Sequence, residues 1–382
     1  MGCKSDSLNL YHIIFFIMVQ LNYNLLRKDP KRLYHMDIAR FFAIVFMVLS
    51  HVQLMYGSEE FIESSLGYFF DVLAGPPAAP VFMVLMGFFA VYIKKTQVKP
   101  GLRRGLIIFL VGLILNIVRM VIPYALGIKL GLFSYEGYGA TFGENIVFFL
   151  FEVDILLFAG LAYGITILLL QFRPKIILPI TFFIIAIVSP FLWGIYTNNS
   201  AVNIFLDLIW GNRTHVAFPQ FPWLCYPILG AWIGVLIMPP NGATQDISSE
   251  NPQESQKLGK RVFLVGLFLL VLGLIIFLID IDGQIGDYYH SGPGAVFLYS
   301  GFVILWLFLL LNIMKIMEGK IKPLIEYISI NLTSIYCIHW TILGWLLFLI
   351  PSNAYDAIGV LLIFAIVFPV SVLISKKIKI KL

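Results

Sequence analysis

Runs such as Leu106–Leu115 and Phe263–Leu278 carry no charged residue, and neither alternates between polar and apolar positions. The strands of an outer-membrane barrel alternate over segments of about ten residues, so runs of this kind read as helices. Ten such apolar segments follow one another at 36–56, 72–93, 105–126, 146–170, 176–196, 219–238, 262–280, 293–316, 325–350 and 355–375. A helix needs roughly 20 apolar residues to cross a bilayer, and each segment approaches or exceeds that length. Composition points the same way: 60% of residues are hydrophobic and 12% charged, about half the charged share of a soluble domain. An ordinary soluble enzyme is excluded. The expected fold is all-α, a polytopic membrane helix bundle of about ten transmembrane helices. An eleventh is added if the shorter stretch 8–21, interrupted by Asn9, His12 and Gln20, also crosses.

Lys and Arg give the segments a direction. Arg27, Lys28, Lys31 and Arg32 precede the first span, and Lys94, Lys95, Lys99, Arg103 and Arg104 separate the second from the third. Arg173, Lys175, Lys257, Lys260, Arg261, Lys315, Lys320 and Lys322 continue the alternation to the basic end of the chain. The intervening loops hold Lys129 and Arg213 and lean acidic. The positive-inside rule therefore expects the basic loops and the C-terminus in the cytoplasm of a multi-pass protein, with the cell membrane as its site. The organisation expected is an N-terminal cytoplasmic or interfacial segment over 1–35, a transmembrane domain over 36–375 and a basic tail over 376–382. Within the domain, 239–260 reads as a flexible cytoplasmic linker rich in Gln, Ser, Asn and Glu. Besides the lipid bilayer, no nucleic-acid partner is implied, because no basic block interleaves with aromatics. Cys3, Cys225 and Cys337 are too far apart to argue a metal site or a disulfide framework.

Polar side chains inside a span are costly unless paired, which makes each one a candidate for function. At about 1.5 Å per residue, His51, Arg119 and Asp154 all fall some 8–12 Å below the outer end of their spans. Arg119 and Asp154 sit on consecutive antiparallel helices and are expected to pair. The layer reads either as a structural ion pair with a nearby histidine or as a catalytic layer open to the outer face. In the second reading His51 is the base, since a neutral imidazole takes a proton at physiological pH. Asp154 would orient it, and Arg119 would stabilise developing negative charge. Asn331, Ser334 and His339 form a polar stripe along the ninth span, either binding substrate or holding helices together. Glu152, two residues from Asp154, is on another face. At the basic end, Asp37 and Arg40 are spaced i,i+3. Arg40, Arg103 and Arg104 form a mouth suited to phosphate groups.

Several of these residues carry a family resemblance. Arg32-Leu33-Tyr34-His35-Met36-Asp37-Ile38-Ala39-Arg40, followed by an apolar run to His51, resembles the first helix of membrane acyltransferases. Ala79-Pro80-Val81-Phe82 with Gly87 and Val153-Asp154-Ile155-Leu156 with Gly160 are similar to helices of heparan-alpha-glucosaminide N-acetyltransferase-like proteins. So is Phe221-Pro222-Trp223-Leu224 with Gly230. Ser334-Ile335-Tyr336-Cys337-Ile338-His339 resembles a helix of the related acyltransferase-3 group. The resemblance implies transfer of an acetyl group from cytoplasmic acetyl-CoA, or another acyl-CoA, to a sugar or glycolipid acceptor on the opposite face. His51 would be catalytic, CoA phosphates would rest on Arg40, Arg103 and Arg104, and no metal is needed. Phe41 stands where the family has Gly, which leaves the acceptor open; the oligomeric state, a homodimer included, is open as well. The reading from another class is a transporter or flippase with Arg119–Asp154 as its coupling pair, against which stands the lack of an inverted repeat.

Overall fold

The computed structural model describes residues 33–92, 96–132, 141–211, 216–237, 252–285, 288–317 and 319–380. Its first helices are α1 (Tyr34–Tyr56), α2 (Glu59–Ile62), α3 (Ser65–Ala74), α4 (Ala79–Tyr92) and α5 (Val98–Asn116). A π-helical turn, Ile117–Val121, joins α5 to α6 (Ile122–Lys129). Then come α7 (Phe142–Leu150), α8 (Ile155–Leu169), α9 (Pro174–Leu192), α10 (Ser200–Ile209), α11 (Gln220–Trp223) and α12 (Cys225–Ile237). The last are α13 (Pro252–Ile279), α14 (Ile281–Ile285), α15 (Pro293–Met317), α16 (Lys322–Ile330), α17 (Leu332–Leu346) and α18 (Ala357–Ile374). Among the described residues, extended pairing is one isolated parallel bridge between Gly57 and Tyr355.

The bundle is polytopic and all-α. Eight helices among the described residues are long and apolar enough to cross a membrane, or nine if the bent pair α7–α8 is one span. Rows of exposed apolar side chains, such as Leu106, Leu110 and Ile114 or Ile180, Ile184 and Phe191, form its lipid-facing surface. The second segment begins at Ser65 rather than 72, because Asp71 does not interrupt it: Gln53 Nε2 donates to Asp71 Oδ1 at 3.0 Å. The seventh begins at Pro252, so part of the expected linker is helical; Pro suits the first turn of a helix, where its missing N–H has no partner to lose. Segment 325–350 divides at Asn331, which leaves helical geometry and returns its Nδ2 to the Tyr327 carbonyl at 2.8 Å. α17 is accordingly 15 residues long, short of a full span on its own. Stretch 8–21, the lysines at 94 and 95, Arg213 and most of the linker lie outside the described residues.

α1 occupies the centre, packed by α3, α4, α15, α16, α17 and α18. It is pinned at both ends: Tyr34 Oη donates to the Met317 carbonyl at 3.0 Å and Tyr56 Oη to the Leu343 carbonyl at 2.6 Å. Beside it, α4 and α12 meet backbone to backbone through Gly87 and Gly230. A Cβ on Gly87 would overlap the Pro227 carbonyl, and one on Gly230 the Val84 carbonyl. Small residues at such crossings give close packing where no water-driven term favours helix association.

Candidate active site

Two breaks in otherwise regular helices build the polar layer. Pro123 has no N–H to offer the carbonyl four residues back, that of Arg119, and the chain widens there into the π turn Ile117–Val121. α17 closes on the loosened turn: Trp345 Nε1 donates to the Val118 carbonyl at 3.0 Å, and Gly344 lies against the Arg119 carbonyl where a Cβ would overlap it. The second break separates α7 from α8, which diverge by 49°. Asn116 Nδ2 donates to the Leu150 and Glu152 carbonyls, at 3.1 and 2.9 Å, taking up acceptors left at the end of α7. Asp154 is therefore not inside a continuous helix, as its sequence position implies, but the N-cap of α8.

Asp154 and Arg119 pair as expected, at 3.0 Å between Oδ2 and Nη1, with side chains 8% and 3% exposed. Asp154 Oδ1 accepts from the Ile155 N–H at 2.6 Å, and Oδ2 also accepts from Tyr336 Oη at 2.5 Å. Arg119 Nε donates to Asn116 Oδ1 at 3.2 Å. Its guanidinium lies 4.4 Å over the Trp340 ring, whose Nε1 donates to Tyr336 Oη at 3.0 Å. Buried charge is stable when paired and hydrogen-bonded on its remaining sites, and this arrangement meets that condition for Asp154.

His51 enters the layer from α1. Its ring packs on Trp340 with centroids 4.1 Å apart, and its Nδ1 lies 2.9 Å from Nε2 of His339. Asp154 was expected to orient His51; its oxygens are instead taken by Arg119, Tyr336 and Ile155, and the neighbour on the imidazole is His339. His339 is fully buried, with Nδ1 3.1 Å from the Ile335 carbonyl, so it offers no surface for the substrate contact expected of it. Among the described residues nothing is hydrogen-bonded to His51 Nε2, and His51 is only partly buried. A half-buried imidazole with one nitrogen anchored and the other available can accept a proton from a hydroxyl or amine.

The remaining candidates lie elsewhere. Asn331, eight residues from His339 toward the basic end, closes the α16–α17 break. Arg40 stacks on Phe89 at 4.2 Å and Arg104 on Tyr163 at 5.4 Å, while Arg103 is exposed. Arg104 Nε is buried with no hydrogen-bond partner among the described residues. Asp37 accepts from Ser329 Oγ at 2.6 Å. Tyr336, Trp340 and Asn116 were not singled out from the sequence. Tyr336, His339 and Trp340 follow the i, i+3, i+4 rule for one helix face, which is the signal that was there to read. Among the described residues no group of three or more His, Cys, Asp or Glu side chains is arranged to hold a metal ion.

A comparison with curated proteins finds no match. The family described as an acyltransferase domain, acyltransferase family 3, matches residues 33–376, from the start of α1 to just past the end of α18. That match covers every element of the polar layer, and it favours the enzyme over the transporter. It reaches the level of the family; the likeness to heparan-alpha-glucosaminide N-acetyltransferases is a finer matter. With an apolar polytopic bundle around a buried imidazole site and a family match over nearly all its length, the chain belongs to the acyltransferase-3 family of membrane acyltransferases.

Proposed function

We propose that the chain moves an acyl group, acetyl in the simplest case, from acyl-CoA to a hydroxyl or amine of a sugar or glycolipid, with His51 as general base. The observation that carries this reading is the state of the His51 ring. It is fixed through Nδ1 and against Trp340, with Nε2 unoccupied by any described residue. Nε2 takes the proton from the acceptor as its oxygen or nitrogen bonds to the thioester carbonyl carbon. The carbon–sulfur bond then breaks, and the same proton passes from Nε2 to the departing CoA sulfur. The products are the acylated acceptor and free CoA, with His51 returned to its starting state. Arg119, over the Trp340 ring on which His51 packs, supplies positive charge for the carbonyl oxygen as it becomes negative.

The donor is proposed to enter from the basic end, which the distribution of Lys and Arg assigns to the cytoplasm, where acyl-CoA is made. Arg104, with a buried Nε that has no hydrogen-bond partner among the described residues, and Arg40 and Arg103 would hold its phosphates. The acceptor would arrive from the opposite face. Purified protein in vesicles, given acetyl-CoA labelled in the acetyl group and a panel of sugars and glycolipids, should move label to an acceptor with release of CoA. Loss of label to water alone, across hydroxyl and amine acceptors, would overturn the proposal.

A further inference from the structure

His339 lies on a different helix from His51 and 288 residues away, and its environment fixes its chemistry. Its Nδ1 is 3.1 Å from the Ile335 carbonyl oxygen. A carbonyl only accepts, so Nδ1 of His339 carries the hydrogen. In a neutral ring Nε2 is then the acceptor, and the group that faces it at 2.9 Å is Nδ1 of His51. His51 Nδ1 must therefore donate, which leaves the lone pair of His51 on Nε2. Donation from both nitrogens of His339 would instead place a cation, with no carboxylate of the described residues on either nitrogen, in a position with no exposed surface. The hydrogen-bond direction runs one way: His51 Nδ1–H to His339 Nε2, then His339 Nδ1–H to the Ile335 carbonyl.

The ring geometry agrees. The two imidazole planes differ by 5°, with centroids 5.2 Å apart. Face-to-face stacking would bring the centroids closer and the facing nitrogens out of line. Parallel planes at that separation with a 2.9 Å N···N contact mean rings lying side by side, with the His51 N–H and the His339 lone pair in the plane of both rings. Trp340 closes one side of the His51 ring at 4.1 Å, and Tyr336 meets the edge of His339 with centroids 5.4 Å apart.

We infer that His339 is a positioning residue, which sets the tautomer and orientation of His51 so that Nε2 is the basic nitrogen, and that it does not touch substrate. This rests on the proposed role of His51 as base. It gives to a neutral, buried histidine the orienting task that a carboxylate performs in a Ser-His-Asp triad.

Two variants of similar size separate this role from a merely structural one. In His339→Gln the side-chain carbonyl reaches the place of Nε2 and still accepts from His51 Nδ1. In His339→Asn the shorter amide reaches only the place of Nδ1, keeping the Ile335 contact and losing His51. Acyl transfer measured in vesicles should show kcat within about tenfold of the parent for His339→Gln and on the order of 10²-fold lower for His339→Asn, with KM for donor and acceptor little changed in both. Equal kcat in the two variants, whether both high or both low, overturns the inference. A spectroscopic readout does not depend on either variant folding. In protein labelled with 15N-histidine, His51 should show a protonated Nδ1 and an unprotonated Nε2; the opposite pattern overturns the inference. Turnover surviving in His51→Ala would count instead against His51 as the base, and is distinguishable from both results.

Discussion

Replacing Asp154 with Asn leaves the shape of the N-cap and removes the charge that three donors share. The Arg119–Asp154 contact is 3.0 Å long with side chains 3% and 8% exposed; at an effective dielectric of about 20 the attraction is roughly 5 kcal/mol. Much of that offsets desolvation, so the useful figure is the cost of stranding one partner, roughly 3–5 kcal/mol for a buried pair. Asp154→Asn strands Arg119, and Arg119→Met strands Asp154, so each should lose about that much stability. The double variant Arg119→Met with Asp154→Asn strands no charge. It exchanges the carboxylate acceptor of Tyr336 Oη for a neutral amide oxygen, at roughly 1 kcal/mol. The double variant should thus be more stable than either single one, with a coupling energy of at least about 3 kcal/mol from the double-mutant cycle. The assay is reversible unfolding of the detergent-solubilised protein across the four forms. Additive losses, with the double variant the least stable, would refute the pairing as a buried, desolvated interaction. Activity should fall in all three variants, because Trp340 loses the guanidinium above its ring, or Tyr336, to which it donates, loses the carboxylate that fixes it.

Gly344→Ala places a methyl against the Arg119 carbonyl, so it should cost about 1–3 kcal/mol by overpacking and reduce kcat as the π turn shifts; unchanged unfolding and turnover would show that α17 gives way freely. Arg103→Ala with Arg104→Ala should weaken CoA binding by about 1–3 kcal/mol for each arginine that contacts phosphate; unchanged affinity in titration would reduce both to signals of topology. A cysteine at Ser249, in a background with Cys3 replaced by Ser, should react with an impermeant reagent only once the cytoplasmic face is opened; labelling from outside would invert the topology.

Much of the bundle was legible because lipid imposes a simple code. Continuous apolar runs can only be helices there, and the basic residues between them keep a single phase. The Arg119–Asp154 pair was legible from depth alone, since consecutive antiparallel helices bring equal depths together. What depth counting does not provide is rotation about the helix axis and contact between distant helices. His51 and His339 were both candidates, but nothing local joins residues on α1 and α17, and Asp154 was given the orienting place that His339 holds. The α7–α8 break was hidden because Phe148, Phe149, Phe151 and Val153 prolong the apolar run through it. The backbone groups it frees are satisfied by Asn116 from α5. The π turn is one step easier to see afterwards, since Pro123 lies four residues beyond Arg119.

The most direct measurement is acyl transfer by His51→Ala, made on protein shown by its unfolding midpoint to retain the parent fold. With His51 as general base, turnover on a verified acceptor should fall by roughly 10²–10⁴-fold. CoA affinity should barely change, because Arg40 and Arg104 stack at the basic end of the bundle, on Phe89 and Tyr163, and not in the His51 layer. Near-normal turnover in the folded variant would contradict the account.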